Sequence, residues 1–235
     1  ETEGYFFWCP ERKNKLRNTN AIKYITAGEN TAIKVKQGRN KGEIIKGFNN
    51  IETVKNRSLW YSIANREPAP IWWIIAHNDR SVAFRNKDII PSDNFFEIIP
   101  NNQEHIEPIY LYLNSTIMTL FRELYGRTNF GGGVLKTQKP DLQKSLILHP
   151  KYFNSKSIAK LNYGLHKTES IFTECGIDPK SETPIEKQEP NPMPHRAALD
   201  KIVFDALDLT EEERREVYRA VCRLVWNRVS KAQSV

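Results

Sequence analysis

The sequence has few of the residues that build disulfide-bonded or metal-bound folds. Its three cysteines, Cys9, Cys175 and Cys222, are far apart and form no CxxC pair. This arrangement is typical of reduced thiols in an intracellular protein, because zinc ligands normally come in pairs at short fixed spacings. We predict reduced thiols and no metal site. A zinc site built from these cysteines and the five scattered histidines is the less favoured alternative.

The sequence also lacks long apolar runs. No stretch approaches the roughly 18 consecutive apolar residues that a membrane-spanning helix needs. The first ten residues, ETEGYFFWCP, lack the basic start and the long apolar stretch of a signal peptide. We therefore expect a cytoplasmic protein. The hydrophobic content of 39% over 235 residues is enough for a substantial core.

Catalytic signatures are missing as well. The sequence contains no GxSxG nucleophile motif and no GxGxxG or GxxxxGK[ST] phosphate loop. No Asp precedes Asp79, so no cluster of carboxylates for a divalent ion forms near the amino end. We interpret His77, after an apolar strand, and His149, before Pro150, as structural. We expect no catalytic residue, no metal and no cofactor in this chain.

Positive charge, in contrast, is abundant in the first 170 residues. The net charge is +7. Lys and Arg counted against Asp and Glu give +6 for residues 1–60, −1 for 61–100, +4 for 101–170 and −2 for 171–235. Either a solvated surface or an electrostatic footprint for a polyanion explains this excess, so charge alone leaves both interpretations open.

The first hundred residues are predicted to be mostly β-strands. Short segments rich in β-branched and aromatic residues alternate there with Gly, Asn, Asp or Pro. The segments are YFFWC, AIKYIT, TAIKVK, EIIKGF, SLWYSI, IWWIIA, SVAFR and FFEII. The adjacent Trp72 and Trp73 are expected to be core residues.

One of these strands predicts a basic sheet edge. In TAIKVK the alternation places Ile33 and Val35 on one face and Lys34 and Lys36 on the other. Arg39 and Lys41 follow in the glycine-containing turn QGRNKG, which extends the edge. We predict that this segment contacts a nucleic-acid backbone.

The period changes after Glu104, where an amphipathic helix is predicted. Its apolar residues fall at steps of three and four: Leu113, Ile117, Leu120, Phe121 and Leu124. Gly126 is expected to end this helix. The next elements are predicted to be a loop with three glycines, a short strand VLK, a proline-initiated helical turn in KPDLQ and a last strand at 146–148.

The carboxy-terminal part is predicted to be a linker followed by a helical hairpin. The stretch GIDPKSETPIEKQEPNPMP, residues 176–194, has five prolines and few large apolar side chains. Thr210 and Glu213 have the spacing of a capping box, which predicts a helix start. We predict a domain over residues 1–170, a linker over 171–194 and a helical hairpin over 195–235.

Aromatic and cationic residues are interleaved in KNRSLWYSIANREPAPIWWIIAHNDRSVAFRNK. The aromatic residues Trp60, Tyr61, Trp72 and Trp73 alternate there with Arg57, Arg66, Arg80 and Arg85. Arginine binds guanine edges or phosphates in duplex DNA, and Asn or Gln binds adenine edges. The arginines at strand ends and turns are therefore the favoured DNA contacts.

The chain also resembles a known family. The run LYLNSTIMTLFRELYGRTNFGGGVLKTQKPDLQKSLILHP resembles the carboxy-terminal half of TaqI-like target recognition domains in type II and type IIG N6-adenine DNA methyltransferases. SLWYSI and DNFFEIIP are similar to the central part of these domains, and HRAALDKIVFDALDLTEEERREVYRAVCRLVWNRVSKAQSV is similar to the helical tail of larger members. The likeness covers residues 54–150 and 195–235 well and 1–53 weakly.

The resemblance implies a recognition domain without its catalytic half. The family holds its target adenine with an Asn-Pro-Pro-aromatic motif, whereas Asn191-Pro192-Met193-Pro194 lacks the aromatic that would stack on a flipped base. We therefore expect the chain to be the carboxy-terminal part of a longer polypeptide. S-adenosylmethionine would bind the catalytic domain, and duplex DNA and that domain would be the partners of this chain.

The expected fold is a mixed α/β, strand-rich DNA-recognition domain with a few packed helices, followed by the hairpin. The expected function is recognition of a short duplex site for adenine methylation. Alternatives are the specificity subunit of a multi-chain restriction-modification enzyme, a nonspecific nucleic-acid module and a protein-interaction module. Competition with random duplex identifies a nonspecific module, and a flat salt titration counts against DNA binding. Upstream coding sequence without a methyl-donor fold would favour the specificity subunit.

The predicted DNA contacts are spread over the first 140 residues. Phosphate contacts are predicted for Lys34, Lys36, Arg39 and Lys41, groove contacts for Arg57, Arg66, Arg80, Arg127 and Asn129, and backbone contacts for Lys136 and Lys139. Three glycines, Gly131, Gly132 and Gly133, would let the main chain approach the duplex. The alternative is that these glycines only complete a turn against the domain core.

Overall fold

The protein has a mixed α/β fold, as predicted, with small antiparallel sheets and several helices. The computed structural model describes residues 7, 9–62, 67–89, 93–128, 131–159, 161 and 169–233. Contacts divide the chain into two compact units, residues 1–67 and 68–235. The predicted contact residues Arg66 and Asn129 lie outside the described residues, as does most of the predicted strand YFFWC.

The first unit contains a helix where the sequence predicted a strand. AIKYIT lies in α1, Asn20–Asn30. The Thr19 side chain caps this helix by accepting from the Ile22 amide at 3.3 Å. Ile22 and Ile25 are three residues apart, so they lie on one face of the helix, and Ile25 is fully buried. The strand prediction was wrong because β propensity was favoured over this spacing and the cap.

A two-stranded antiparallel ribbon completes the first unit. It pairs β1, Ala32–Lys34, with β2, Ile44–Lys46. The predicted strand SLWYSI forms turns over its described residues, 58–62. Trp60 is held instead by its indole N–H, which donates to Glu29 at 2.8 Å.

The second unit is built on a three-stranded antiparallel sheet with strand order β5–β3–β6. The strands are β3, Ile71–Ile74; β5, Ala83–Arg85; and β6, Phe95–Ile98. Ile71, Trp73 and Ala83 share the face that packs into the core. Trp73 is 2% exposed, which confirms it as a core residue, whereas Trp72 on the opposite face is half-buried.

The predicted helix after Glu104 is two helices. These are α2, Ile106–Leu113, and α3, Thr116–Tyr125, with a break at Asn114. Ser115 caps α3 by accepting from the Met118 amide at 3.2 Å. Gly126 ends α3 as predicted, but with φ −72° and ψ 167°, in extended conformation.

A second small sheet carries the glycine loop. Strand β4, Ala76–His77, pairs with β7, Leu135–Lys136, which confirms the predicted short strand. The predicted helical turn follows as α4, Lys139–Leu142. Residues 146–148, predicted as a strand, form none, and Pro150–Tyr152 form a 3-10 turn.

The remaining helices surround the main core. They are α5, Ser155–Ala159; α6, Ile171–Cys175; α7, Pro194–Ala206; and α8, Glu211–Gln233. The predicted capping box starts α8: the Thr210 hydroxyl accepts from the Glu213 amide at 3.3 Å, and Glu213 accepts from the Thr210 amide at 2.7 Å. Val221 and Val225 lie on the buried face of α8, so the predicted hairpin helices are present.

The proline-rich stretch contributes to the same core as these helices. Ile177 and Ile185 are buried in it. A Cβ on Gly176, which has φ +65°, would lie 2.0 Å from the main-chain oxygen of Asn191. The beginning and the end of the proline-rich stretch are therefore in close contact. The predicted domain limits at 170 and 194 stay a prediction.

Candidate nucleic-acid interface

In the first unit, the predicted phosphate contacts lie together on the two-stranded ribbon. Lys34 is exposed on β1, and Lys36, Arg39 and Lys41 are exposed in the loop that joins β1 to β2. Antiparallel partners share a face, so Lys46, opposite Ala32, lies on the same face as Lys34. Lys34 and Lys46 thus share one face of the ribbon, and the three loop cations follow Lys34 within seven residues.

In the second unit, Arg127 and Lys136 are brought side by side. They form an antiparallel pair that exchanges two main-chain hydrogen bonds, of 2.8 and 2.9 Å. Directly opposed residues point their side chains to the same face. We call residues 127–136 the recognition hairpin. Its two ends therefore present two cations on one face.

Arg127 is held by Asp141 of α4. Asp141 accepts from Nε at 3.0 Å and from Nη2 at 3.1 Å, and the Arg127 side chain remains 46% exposed. The hydrogen bond from Arg127 lowers the pKa of Asp141. The two hydrogen bonds to Asp141 fix the orientation of the guanidinium. Because a guanidinium has five N–H donors, Arg127 still has donors for a further acceptor.

The three glycines lie at the tip of the recognition hairpin, and each has a left-handed backbone. Their φ angles are +73°, +56° and +67°. A Cβ on Gly131 or Gly132 would meet nothing within 4 Å, whereas a Cβ on Gly133 would lie 3.2 Å from the Cα of Val229. Gly133 thus completes a turn against α8, while Gly131 and Gly132 are exposed. The turn interpretation therefore fits Gly133, and the predicted DNA contact of the three glycines stays a prediction.

The other predicted contacts are not part of this hairpin. Lys139 is exposed at the start of α4, three residues after Lys136. Arg80 is exposed and lines a small cleft with Thr119 and Glu169. Arg57 is exposed in a turn of the first unit.

The Leu-Asn-Ser motif, which carries much of the family resemblance, has a structural role. The Asn114 side chain accepts from the Ala83 amide at 3.0 Å and donates to the Ala83 oxygen at 3.2 Å, as a neighbouring strand would. Arg196 of α7 donates to the Asn114 main-chain oxygen at 2.7 Å. Asp200 accepts from the Thr116 amide at 2.8 Å. The motif therefore joins β5, both central helices and α7.

A second buried cation supports the sheet that carries the hairpin. Arg122 of α3 is 1% exposed and lies 4.6 Å above the Trp73 ring. It donates to Ser81 at 2.8 Å, to Thr137 at 3.1 Å and to the Ile75 main-chain oxygen at 3.0 Å. Burial lowers its pKa to about 9, so the guanidinium stays charged at neutral pH. This residue links α3 to Ser81, to the residue before β4 and to the residue after β7.

His77, interpreted as structural, is buried in β4, opposite Leu135 of the paired strand β7. Its Nδ1 lies 3.1 Å from the Asn78 main-chain oxygen. Burial, followed by the charges of Arg122 and Arg228, lowers the pKa of His77 from 6.5 to about 2. The imidazole is therefore neutral in the folded protein.

This burial predicts a loss of stability in mild acid. Because the unfolded chain binds a proton near pH 6.5 and the folded protein does not, the His77 contribution is complete above pH 6.5 and is lost as the pH falls towards 2. Between pH 7.5 and 5.5 we expect the free energy of unfolding to fall by about 1 kcal/mol from this residue. Urea unfolding of wild type and His77→Leu at both pH values measures it. An equal fall in both proteins would contradict the prediction.

Sequence patterns missed Asp141 and Arg228 as partners of the hairpin. A usable signal existed for Arg228, because it follows Val221 and Val225 in the register of the apolar stripe of α8. A cation at such a position indicates a buried, paired charge. Nothing in the local sequence around Asp141 indicates that it binds Arg127.

In the described part of the chain, no helix is long and apolar enough to cross a lipid bilayer. Within the same residues, no group of three His, Cys, Asp or Glu side chains is close enough to hold a metal ion. Cys9, Cys175 and Cys222 are free and buried. The cytoplasmic location stays a prediction.

Comparison with known proteins relates part of the chain to a type II methyltransferase. It is similar to the type II methyltransferase M.AccI of Acinetobacter calcoaceticus, with 28% identity over 99 residues, which are 40% of this chain and 18% of the relative. The matched part is thus under a fifth of the relative's length. No family model and no solved structure matches. The similarity supports a distant relationship to restriction-modification methyltransferases.

Proposed function

We propose that this chain is the DNA-recognition part of an N6-adenine DNA methyltransferase in a restriction-modification system. It would bind a short asymmetric duplex site and position a separate catalytic domain on it. The narrower assignment, to TaqI-like target recognition domains, belongs to this proposal. The observation that carries it is the recognition hairpin, because it combines two cations on one face with exposed glycines at its tip.

The chemistry of the hairpin fits a duplex. Arg127, held by Asp141, is pre-oriented for a bidentate contact with a guanine edge or a phosphate. Lys136 and Lys139 follow at the base of the hairpin and supply charge for the sugar-phosphate backbone. Gly131 and Gly132 add no side chain that would keep the main chain away from DNA. Together these residues match a groove contact flanked by phosphate contacts.

We propose no chemical step for this chain. Residues 191–194 are the nearest match to a target-adenine motif, and their main chain packs against α6 and the residue that follows it. The Met193 amide donates to the Glu174 main-chain oxygen at 2.9 Å, and the Asn191 main chain lies close to Gly176. These described residues therefore do not fit a flipped base. A methyl donor such as S-adenosylmethionine would be bound by the catalytic domain.

A selection experiment tests the proposal. The chain is incubated with short DNA duplexes that have a randomised centre, and bound duplexes are recovered and sequenced. We expect one enriched site, bound at least about a thousandfold more tightly than random duplex. Binding without enrichment would favour a nonspecific module, and no binding at low salt would exclude DNA recognition by this chain.

The exposed lysines of the two-stranded ribbon β1–β2 and its loop predict that DNA affinity depends strongly on salt concentration. With six to ten phosphate contacts, affinity for the selected duplex falls roughly a thousandfold or more between about 50 and 200 mM salt. Replacing Lys34, Lys36 and Lys41 by Gln should make the slope of log affinity against log salt shallower by about 0.9 for each lost contact. The matched control replaces three exposed lysines outside the predicted surface, Lys180, Lys187 and Lys201. Equal slopes in the two variants would exclude the ribbon from the interface.

A further inference from the structure

Arg228 connects the last helix to the glycine loop. Its side chain is 6% exposed. Nη1 donates to the main-chain oxygen of Gly133, and Nη2 donates to the main-chain oxygen of Asn78 at 2.6 Å. Glu123 of α3 accepts from Nε at 3.0 Å and from Nη2 at 2.7 Å. One guanidinium therefore joins α8, α3, the residue after β4 and the recognition hairpin.

The loop main chain lies directly on α8 at this point. A Cβ on Gly133 would be 3.2 Å from the Cα of Val229 and 3.4 Å from the Cβ of Ala232. Beside this contact is an open groove of about 640 Å³ that is lined by Gly131, Gly132 and α8 residues. The tip of the hairpin is thus fixed at Gly133 and uncovered at the two preceding glycines.

Fixing this contact matters because glycine has the largest backbone freedom of any residue. Three successive glycines with positive φ would sample many conformations if nothing held them. The Arg127–Lys136 pair fixes the base of the hairpin, and the Arg228 contact fixes its tip. A loop that is already ordered binds more tightly, because less conformational entropy is lost on binding.

We infer that Arg228 is a positioning residue for DNA recognition: it holds Gly133 so that the hairpin presents its cations and its exposed main chain in one arrangement. The inference rests on the proposed function. It assigns to the helical tail the role of ordering the hairpin, with Arg228 itself directed inward to Glu123, Asn78 and Gly133.

A paired substitution separates this role from a contribution to stability. Arg228→Met alone would leave Glu123 buried without a partner, which is strongly destabilising. Arg228→Met combined with Glu123→Leu replaces the buried ion pair by apolar side chains, a change that is often neutral. The contact with Gly133 is lost in both. The matched control is Arg223→Met with Glu216→Leu, an exposed pair at 3.7 Å on the same helix.

Two measurements are made on the full chain. The first is hydrogen exchange at the Val134 amide, which donates to the Gly131 oxygen at 3.1 Å and reports on the order of the loop. The second is the affinity ratio between the duplex selected by wild type and random duplex. For the Arg228/Glu123 variant we expect hydrogen exchange at Val134 to be about tenfold faster or more, and the affinity ratio to fall about tenfold or more. Its denaturant midpoint should stay that of wild type. The Arg223/Glu216 control should match wild type in both measurements.

The outcomes distinguish this inference from the function on which it rests. Unchanged exchange at Val134, or an unchanged affinity ratio, overturns the inference. A wild-type chain with no site preference refutes the proposed function instead, and Val134 exchange still reports whether Arg228 orders the loop. If the double variant lowers the denaturant midpoint, the same two measurements are made on Arg228→Lys. Lysine keeps a positive charge for Glu123, but it lacks the planar guanidinium that donates to both Gly133 and Asn78.

Discussion

Replacing Arg196 by Met should lower the free energy of unfolding by about 3–5 kcal/mol. The Arg196 side chain is 2% exposed and donates to Glu174 and, at 2.7 Å, to the main-chain oxygen of Asn114. Asp200 lies 3.8 Å from its Nη1. Without the guanidinium, two carboxylates with exposures of 3% and 0% lose their cation in the core. Each then carries a large desolvation cost, and the junction between α7 and the Asn114 region loosens.

Urea unfolding monitored by circular dichroism measures this loss. The control is Arg215→Met on α8, whose side chain is 43% exposed and forms ion pairs with the surface residues Glu189 and Glu212. There the change should stay below about 1 kcal/mol, because solvent screens exposed ion pairs. An Arg196 variant as stable as the Arg215 variant would show that the buried contacts of Arg196 with Glu174 and Asp200 contribute nothing to the stability of the fold.

Replacing Gly132 by Asn should weaken binding to the selected DNA site while leaving the fold intact. Gly132 has φ +56° and open space where its Cβ would be, and Asn adopts left-handed backbone more readily than other side chains. The change in the free energy of unfolding should therefore stay below about 1 kcal/mol. The added side chain would hold the main chain away from the duplex. We expect affinity for the selected site to fall about tenfold to a hundredfold, the size of one lost base-pair contact.

Gly133→Asn provides the contrast. Its Cβ would contact Val229 and Ala232, so this substitution should lower the unfolding midpoint as well as binding. Thr183→Asn, at an exposed position outside the hairpin, controls for added surface bulk. If Gly132→Asn binds the selected duplex as wild type does, the main chain at the tip does not approach DNA, and the glycines serve only the turn.

Local patterns predicted much of the fold. Alternation and aromatic content gave the strands of the central sheet, and the Thr210–Glu213 spacing gave the start of α8. The prediction for AIKYIT was wrong because its β-branched residues also fit a helix, and the Thr19 cap and the burial of Ile25 decide between the two. The break at Asn114 was missed because the apolar spacing was favoured over the local Ser115 cap, and the hydrogen bonds of Asn114 to Ala83, 31 residues earlier, have no local signal.

The candidate site shows the same division. The sequence indicated the cations around the triple glycine, because their residue types and positions are local features. It did not indicate that Asp141 holds Arg127 or that Arg228 binds Gly133. The latter contact joins residues 95 positions apart, and no short spacing encodes it.

By itself, the sequence determined the excess of basic charge in the first 170 residues, the dispersed cysteines and the positions of most strands and helices. Only the tertiary structure decided which arginines face solvent. Arg122, Arg196 and Arg228 are buried on ion pairs or hydrogen-bond acceptors from distant segments, whereas Arg127 remains half-exposed on its carboxylate. Burying a guanidinium is favourable only where enough hydrogen-bond acceptors and carboxylates surround it. These partners come from distant parts of the chain, so tertiary packing decides where such a site exists.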